Sequence, residues 1–173
     1  MRAKLTRPTR WLLEAFLIVG IVITVQAWRT RDAASGPVPP FETMLANGQP
    51  ISPARWLERH EGSATAFYFW AEWCPICRAM EANIDAAGER WPILTVAMQS
   101  GDARQVSDHL SRRGLRWDAA IDAEGSIARR FGLQAVPALV VVDGRGEIRF
   151  VELGYTSEMG LRLRLWWAQN TGN

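Results

Sequence analysis

The stretch FWAEWCPIC, Phe69–Cys77, carries both cysteines of this 173-residue chain, three positions apart and directly after an apolar run. The run TAFYFWA, residues 65–71, reads as a buried strand. A helix is expected from about Pro75 to Arg90, with Met80, Ile84 and Ala87 on one face. Strand, turn and helix together put Cys74 at a helix N-terminus and Cys77 one turn on, close enough for a disulfide. There the helix dipole and unpaired backbone N–H groups favour a thiolate, so the pKa of Cys74 is expected to fall. Such a thiolate attacks readily and also leaves readily in thiol exchange. Pro75 suits the first helical turn, where its missing N–H is not needed. The pattern describes an exposed nucleophile, a recessed partner and a helix end that tunes both.

Other uses of two thiols remain open at this point. A structural zinc site needs four ligands, and the only histidines, His60 and His109, have no ligand spacing to the cysteines, so no metal is expected. A purely structural disulfide suits an oxidising compartment, yet so small a ring restricts the unfolded chain little. Two soft thiolates also suit Cu(I), which makes a copper-binding or metallochaperone module the alternative function.

The rest of the text alternates strands and helices. Phe41–Met44 reads as an edge strand before a turn at Asn47-Gly48, and Pro53 opens a short helix. ILTVAM (93–98) is a second buried strand. Asp102 and Gln105 form a capping box on a helix that stops at Gly114. WDAAI (117–121) is a weak strand, and a short helix ends at Gly132. The strands 137–143 and 147–153 flank a Gly144-Arg145-Gly146 hairpin loop. A last helix from about Ser157 to Gln169 buries some of Met159, Leu161, Leu163, Leu165 and Trp166. The expected class is α/β, with a mixed central sheet covered on both faces by helices.

Two motifs carry a resemblance. FYFWAEWCPIC resembles the active-site strand–turn–helix of the thioredoxin superfamily, and FGLQAVPALVVVDGRGEI is similar to its second hallmark. Between them, Ile93–Arg130 resembles the strand–helix insertion of membrane-anchored periplasmic members of the TlpA, ResA and DsbE type. Those include cytochrome c maturation and copper-tolerance proteins such as ScsD. The match covers about residues 41–169. It implies a thioredoxin-like fold and a cofactor-free thiol–disulfide oxidoreductase with Cys74 and Cys77 as its catalytic pair. It further implies a cis bond before Pro137, facing the cysteines, and a Val136 backbone that pairs with the substrate polypeptide. Trp73, Pro75 and Ile76 belong to the implied docking surface. The implied partners are protein thiols and disulfides and a transmembrane thiol–electron donor, with reduction as the direction.

The sequence departs from the family at three places, and from peroxidase relatives on the same fold at one. Tyr68 stands where soluble thioredoxins keep an aspartate, and Met80 where cytochrome-maturation reductases carry a glutamate, with Glu81 expected on another helix face. Ala82 replaces a kinking proline. Ala71 replaces the threonine of peroxidase relatives. Glu72, Arg78 and His109 read as solvated side chains.

The amino end addresses a membrane. Residues 1–31 hold six basic residues against Glu14, whereas the remaining fourteen arginines face seventeen carboxylates. That mildly acidic domain lacks the basic face a nucleic-acid partner needs. WLLEAFLIVGIVITVQAW, residues 11–28, reads as a transmembrane helix of nearly bilayer thickness with a tryptophan at each end. By the basic excess before it, residues 1–10 are expected in the cytosol and the domain across the membrane; the resemblance makes that the bacterial periplasm, with a single-pass inner-membrane anchor. A cleaved signal peptide is the rival, with small residues at Val25 and Ala27. Residues 29–40 read as a proline-ended linker, and the domain is expected over 41–173.

Overall fold

The computed structural model describes residues 33–171 and, ahead of them, scattered positions between 11 and 24. The chain divides into Met1–Arg31 and Asp32–Asn173. In the first unit the described positions are helical, and Thr24 donates its hydroxyl to the Gly20 carbonyl at 2.8 Å. The cytosolic tail and much of the expected 11–28 anchor lie outside the described residues, among which no helix is long and apolar enough to cross a membrane.

In the second unit the described elements run β1 (Gly36–Pro37), β2 (Thr43–Met44), β3 (Pro50–Ile51), α1 (Pro53–Arg59), β4 (Thr65–Trp70), α2 (Pro75–Gly88), β5 (Ile93–Met98), α3 (Ala103–Arg113), β6 (Ala119–Asp122), α4 (Ser126–Arg130), β7 (Ala138–Val142), β8 (Glu147–Leu153) and α5 (Glu158–Thr171). Six strands form one sheet in the order β1-β8-β7-β4-β5-β6, and β2 pairs with β3 separately. β4 lies parallel to β5 and antiparallel to β7. This is the mixed α/β sheet that the alternation of elements predicts.

β4 is buried along its whole length, so its alternating side chains fill both faces of the sheet. Phe67 and Phe69 point to a cluster with Phe41 and Phe131, the Phe69 and Phe131 rings 5.0 Å apart. Tyr68 and Trp70 point the other way, onto Met80 and Ile84 of α2 and towards Leu161 and Leu165 of α5. α5 turns only Leu161, Leu165 and Ala168 inward, while Met159, Leu163 and Trp166 stay exposed.

Local chemistry explains the boundaries. Gln105 donates its N–H to Asp102 Oδ1 and accepts the Asp102 N–H, each at 2.9 Å, which closes the capping box of α3. Gly114 ends that helix at φ 69°, a left-handed conformation that a Cβ disfavours. The buried Asp143 carboxylate accepts the N–H groups of Arg145 and Glu147 and the Arg149 guanidinium, fixing the β7–β8 hairpin.

The sheet also takes in part of the stretch read as a linker. Gly36 and Pro37 pair with Ile148 and Glu147, and Ala34 donates to the Phe131 carbonyl. The cause is long-range pairing with β8, which the polar composition of residues 29–40 does not announce.

Candidate active site

β4 ends at Trp70, and the turn Ala71–Trp73 delivers the chain into α2 with Cys74 as its N-cap. Cys74 Sγ accepts the backbone N–H of Cys77 at 3.1 Å, so the sulfur takes one of the donors that a helix start leaves unpaired. The two residues are joined as a disulfide, with Cα atoms 5.3 Å apart. Opposite them the Val136–Pro137 bond is cis, and the Val136 carbonyl oxygen lies 3.8 Å from Cys74 Sγ. The Gly154 N–H donates to the Pro137 carbonyl at 2.8 Å, which ties the end of β8 to the same pole of the sheet.

The expectation of an exposed Cys74 needs correction: in the disulfide form both cysteines are only 3% exposed. Cys74 sits down between the helix start and the Val136 carbonyl, while its neighbours Trp73, Pro75 and Ile76 stand out. Trp73 is 59% and Ile76 49% exposed, an apolar rim around a covered sulfur. Val136 is half-buried and Pro137 buried. The structure thus brings all seven sequence-predicted site residues to one place.

The loop after β5 holds the turn. Trp73 Nε1–H donates to the Gln99 carbonyl at 3.2 Å, and the Glu72 N–H to Ser100 Oγ at 3.0 Å. Gln99 itself takes a left-handed φ of 49°.

Behind the disulfide lies a narrow crevice walled by Tyr68, Trp70, Cys77, Glu81, His109 and Trp117. Tyr68 is fully buried and donates its hydroxyl to the Cys77 carbonyl at 3.4 Å. Burial, with the Glu81 charge behind it, pushes the Tyr68 phenol above its ordinary value. Glu81, expected on another helix face, reaches this crevice because it lies one turn beyond Cys77; Arg113 pairs with it at 2.6 Å.

His109, read as a surface residue, is 7% exposed. Its ring lies 5.4 Å from that of Trp70, and Nδ1 lies 3.4 Å from Glu72 Oε1. Glu72 and His109 are therefore not simply solvated. Sequence spacing could not reveal this contact, since it joins the active-site turn to a helix in the insertion. The His60 ring packs tilted against Trp56, centroids 4.4 Å apart, and burial foremost, then Arg59, lowers its pKa against the opposing pull of Asp118. Among the described residues no three His, Cys, Asp or Glu side chains converge as a metal site.

The sequence matches the AhpC/TSA family over residues 35–151. A thioredoxin-like protein of Haemophilus influenzae is 32% identical over 65% of this chain and 67% of its own. A thiol:disulfide interchange protein DsbE homolog of Paracoccus denitrificans is 33% identical over 46% of this chain, which spans under half of that relative, 45%. Among solved structures, a secreted Mycobacterium tuberculosis disulfide oxidoreductase homologous to E. coli DsbE superposes with a TM-score of 0.61 at 24% identity, over 73% of this chain and 95% of that one. At that identity the likeness speaks for the fold. The family match spans more than half the sequence, and the site contains the paired cysteines: this chain belongs to the AhpC/TSA family, among its thioredoxin-like thiol–disulfide oxidoreductases.

Proposed function

We propose that the chain is a membrane-tethered oxidoreductase of the bacterial periplasm that reduces disulfides in partner proteins. The observation that carries the reading is the Cys74–Cys77 pair at the head of α2, facing the cis Val136–Pro137 bond inside a rim of exposed apolar side chains.

In the reduced protein, the Cys74 thiolate attacks one sulfur of a partner disulfide. That bond breaks, a mixed disulfide forms, and the partner's other sulfur leaves as a thiolate. Cys77, having lost its proton, then attacks Cys74 Sγ and expels the second partner thiolate. Two electrons have moved to the partner, and the protein is left as the disulfide of this structure. The Cys77 N–H and the start of α2 stabilise negative charge on Cys74, which favours it both as attacker and as leaving group. Trp73, Pro75 and Ile76 form the docking surface, and the Val136 backbone receives the partner's extended chain. Covering the sulfur in the oxidised state suits a site that admits polypeptides lying across it and excludes casual reaction.

A transmembrane thiol donor restores the dithiol in this reading. The 11–28 run with its basic flank supports the anchor, and the sheet of the domain takes up the chain from Gly36. The secreted oxidoreductase among the similar structures agrees with an exported site. For Cu(I) binding, no third His, Cys, Asp or Glu joins the cysteines among the described residues to support the alternative.

Three measurements test the proposal. With Cys77→Ser, mixed disulfides accumulate on Cys74 in cells and identify the partners; no captured protein counts against exchange. Equilibrating Cys74–Cys77 with glutathione gives the potential, and a value near about −120 mV overturns the reductase direction. A mature protein beginning at Trp28 overturns the anchor.

A further inference from the structure

We propose that His109 is a positioning residue of the thiol-exchange site: with Arg112 it holds the Glu72 carboxylate in the active-site turn, keeping that charge directed away from the Cys74 thiolate. The inference rests on the exchange reading above and adds to it a role for the inserted helix α3.

Glu72 stands two residues before the attacking sulfur. A carboxylate so placed opposes the formation of a second negative charge nearby. The nitrogens that face it among the described residues both come from α3: His109 Nδ1 at 3.4 Å from Oε1, and Arg112 Nη2 at 3.6 Å from the same oxygen. The Arg112 side chain is 64% exposed, so water screens it, whereas that of His109 is 9% exposed and its ring packs on Trp70. The buried partner therefore acts with the least screening. Other charges face the same region. Glu81 is paired with Arg113, and Arg78 lines the crevice beside Cys77. Tyr68 remains a neutral donor to the Cys77 carbonyl. None of these pairs with Glu72. Its backbone is fixed separately by Ser100, so the turn has a rigid main chain and a carboxylate whose direction α3 sets.

The test is a cycle of His109→Phe, Glu72→Gln and the double variant. Phenylalanine keeps a ring against Trp70 and removes the nitrogen that faces Glu72. Alkylation of Cys74 by iodoacetamide is followed at pH 6.5 in reduced proteins that also carry Cys77→Ser, and equilibrium with glutathione is measured with both cysteines present. His109→Phe is expected to slow alkylation roughly threefold, as a carboxylate freed to face the thiolate would, and to shift the equilibrium towards the disulfide by a similar factor. Glu72→Gln is expected to match or exceed the parent, and adding His109→Phe to it is expected to change nothing further.

Equal rates for His109→Phe and the parent overturn the inference. So does a loss from His109→Phe that is the same with and without Glu72→Gln, which marks a packing role. If His109→Phe does not fold, His109→Gln replaces it in the same cycle. A parent protein whose Cys74 alkylates no faster than an ordinary thiol fails the exchange reading itself, and the positioning role with it.

Discussion

Tyr68 in the central strand hydrogen-bonds the carbonyl of Cys77 in the active-site helix, its hydroxyl 3.4 Å from that oxygen. A neutral phenol thus supports the recessed cysteine from below. Tyr68→Phe keeps the ring and loses one donor, so thermal unfolding should register a cost of about 0.5–1.5 kcal/mol. Because burial raises the phenol's pKa, it stays protonated through the neutral range. The pH profile of exchange between about pH 5 and 9 should therefore match that of the parent.

Trp73 projects from the turn with its indole N–H anchored on Gln99. Trp73→Ala should slow reduction of a polypeptide disulfide about tenfold, the size of a docking anchor's loss. Reaction with dithiothreitol, which needs no docking, should change less than about twofold. Stopped-flow fluorescence on the two substrates makes the comparison; equal losses would show a general disturbance of the turn.

Asp102 closes the capping box that starts α3. Asp102→Ala leaves the Gln105 N–H without its partner and should lower stability by about 1 kcal/mol in denaturant unfolding.

Asp143 is buried beneath the β7–β8 hairpin. Burial pushes its pKa up, but the Glu147 N–H, the Arg149 guanidinium and the Arg145 N–H outweigh that and hold it below the ordinary value. A depressed carboxyl pKa contributes stability above the unfolded value, about 3.9, and loses it as pH falls through the folded value. Asp143→Ala should cost about 3 kcal/mol at pH 7, with the difference from the parent shrinking below about pH 4. A pH series of urea midpoints measures both.

A Cβ on Gly144 would sit 2.8 Å from the backbone of Gly62. Gly144→Ala should force the hairpin and the loop after α1 apart, for about 1–3 kcal/mol, as overpacking does elsewhere. Calorimetry reads the loss as a lower unfolding temperature.

What is legible in the sequence follows the range of the interactions involved. The capping box of Asp102 and Gln105, the stop at Gly114 and the hairpin at 144–146 are made by neighbours in the chain, and the structure places them as the text predicts. The cysteine pair is equally local. The cis bond before Pro137 is legible only through family resemblance, since Val136-Pro137 as a dipeptide does not specify it. The burial of His109 and the turn of Glu81 towards Cys77 depend on Trp70 and Arg113 lying where the sheet and the inserted helix meet. No spacing rule reports such encounters. The exposure expected of Cys74 fails for the same reason: its cover is the Val136 carbonyl, distant in sequence.

The short strand Gly36–Pro37 has one more effect. It covers Glu147 and Ile148, the beginning of an outermost strand whose amides there would otherwise be open to any passing chain. Proline at its end has no N–H to donate, so the added ribbon is a poor template for another copy. A stretch that looks like a mere leash thus also protects the protein against self-templated association, and trimming the chain back to Phe41 would remove that guard.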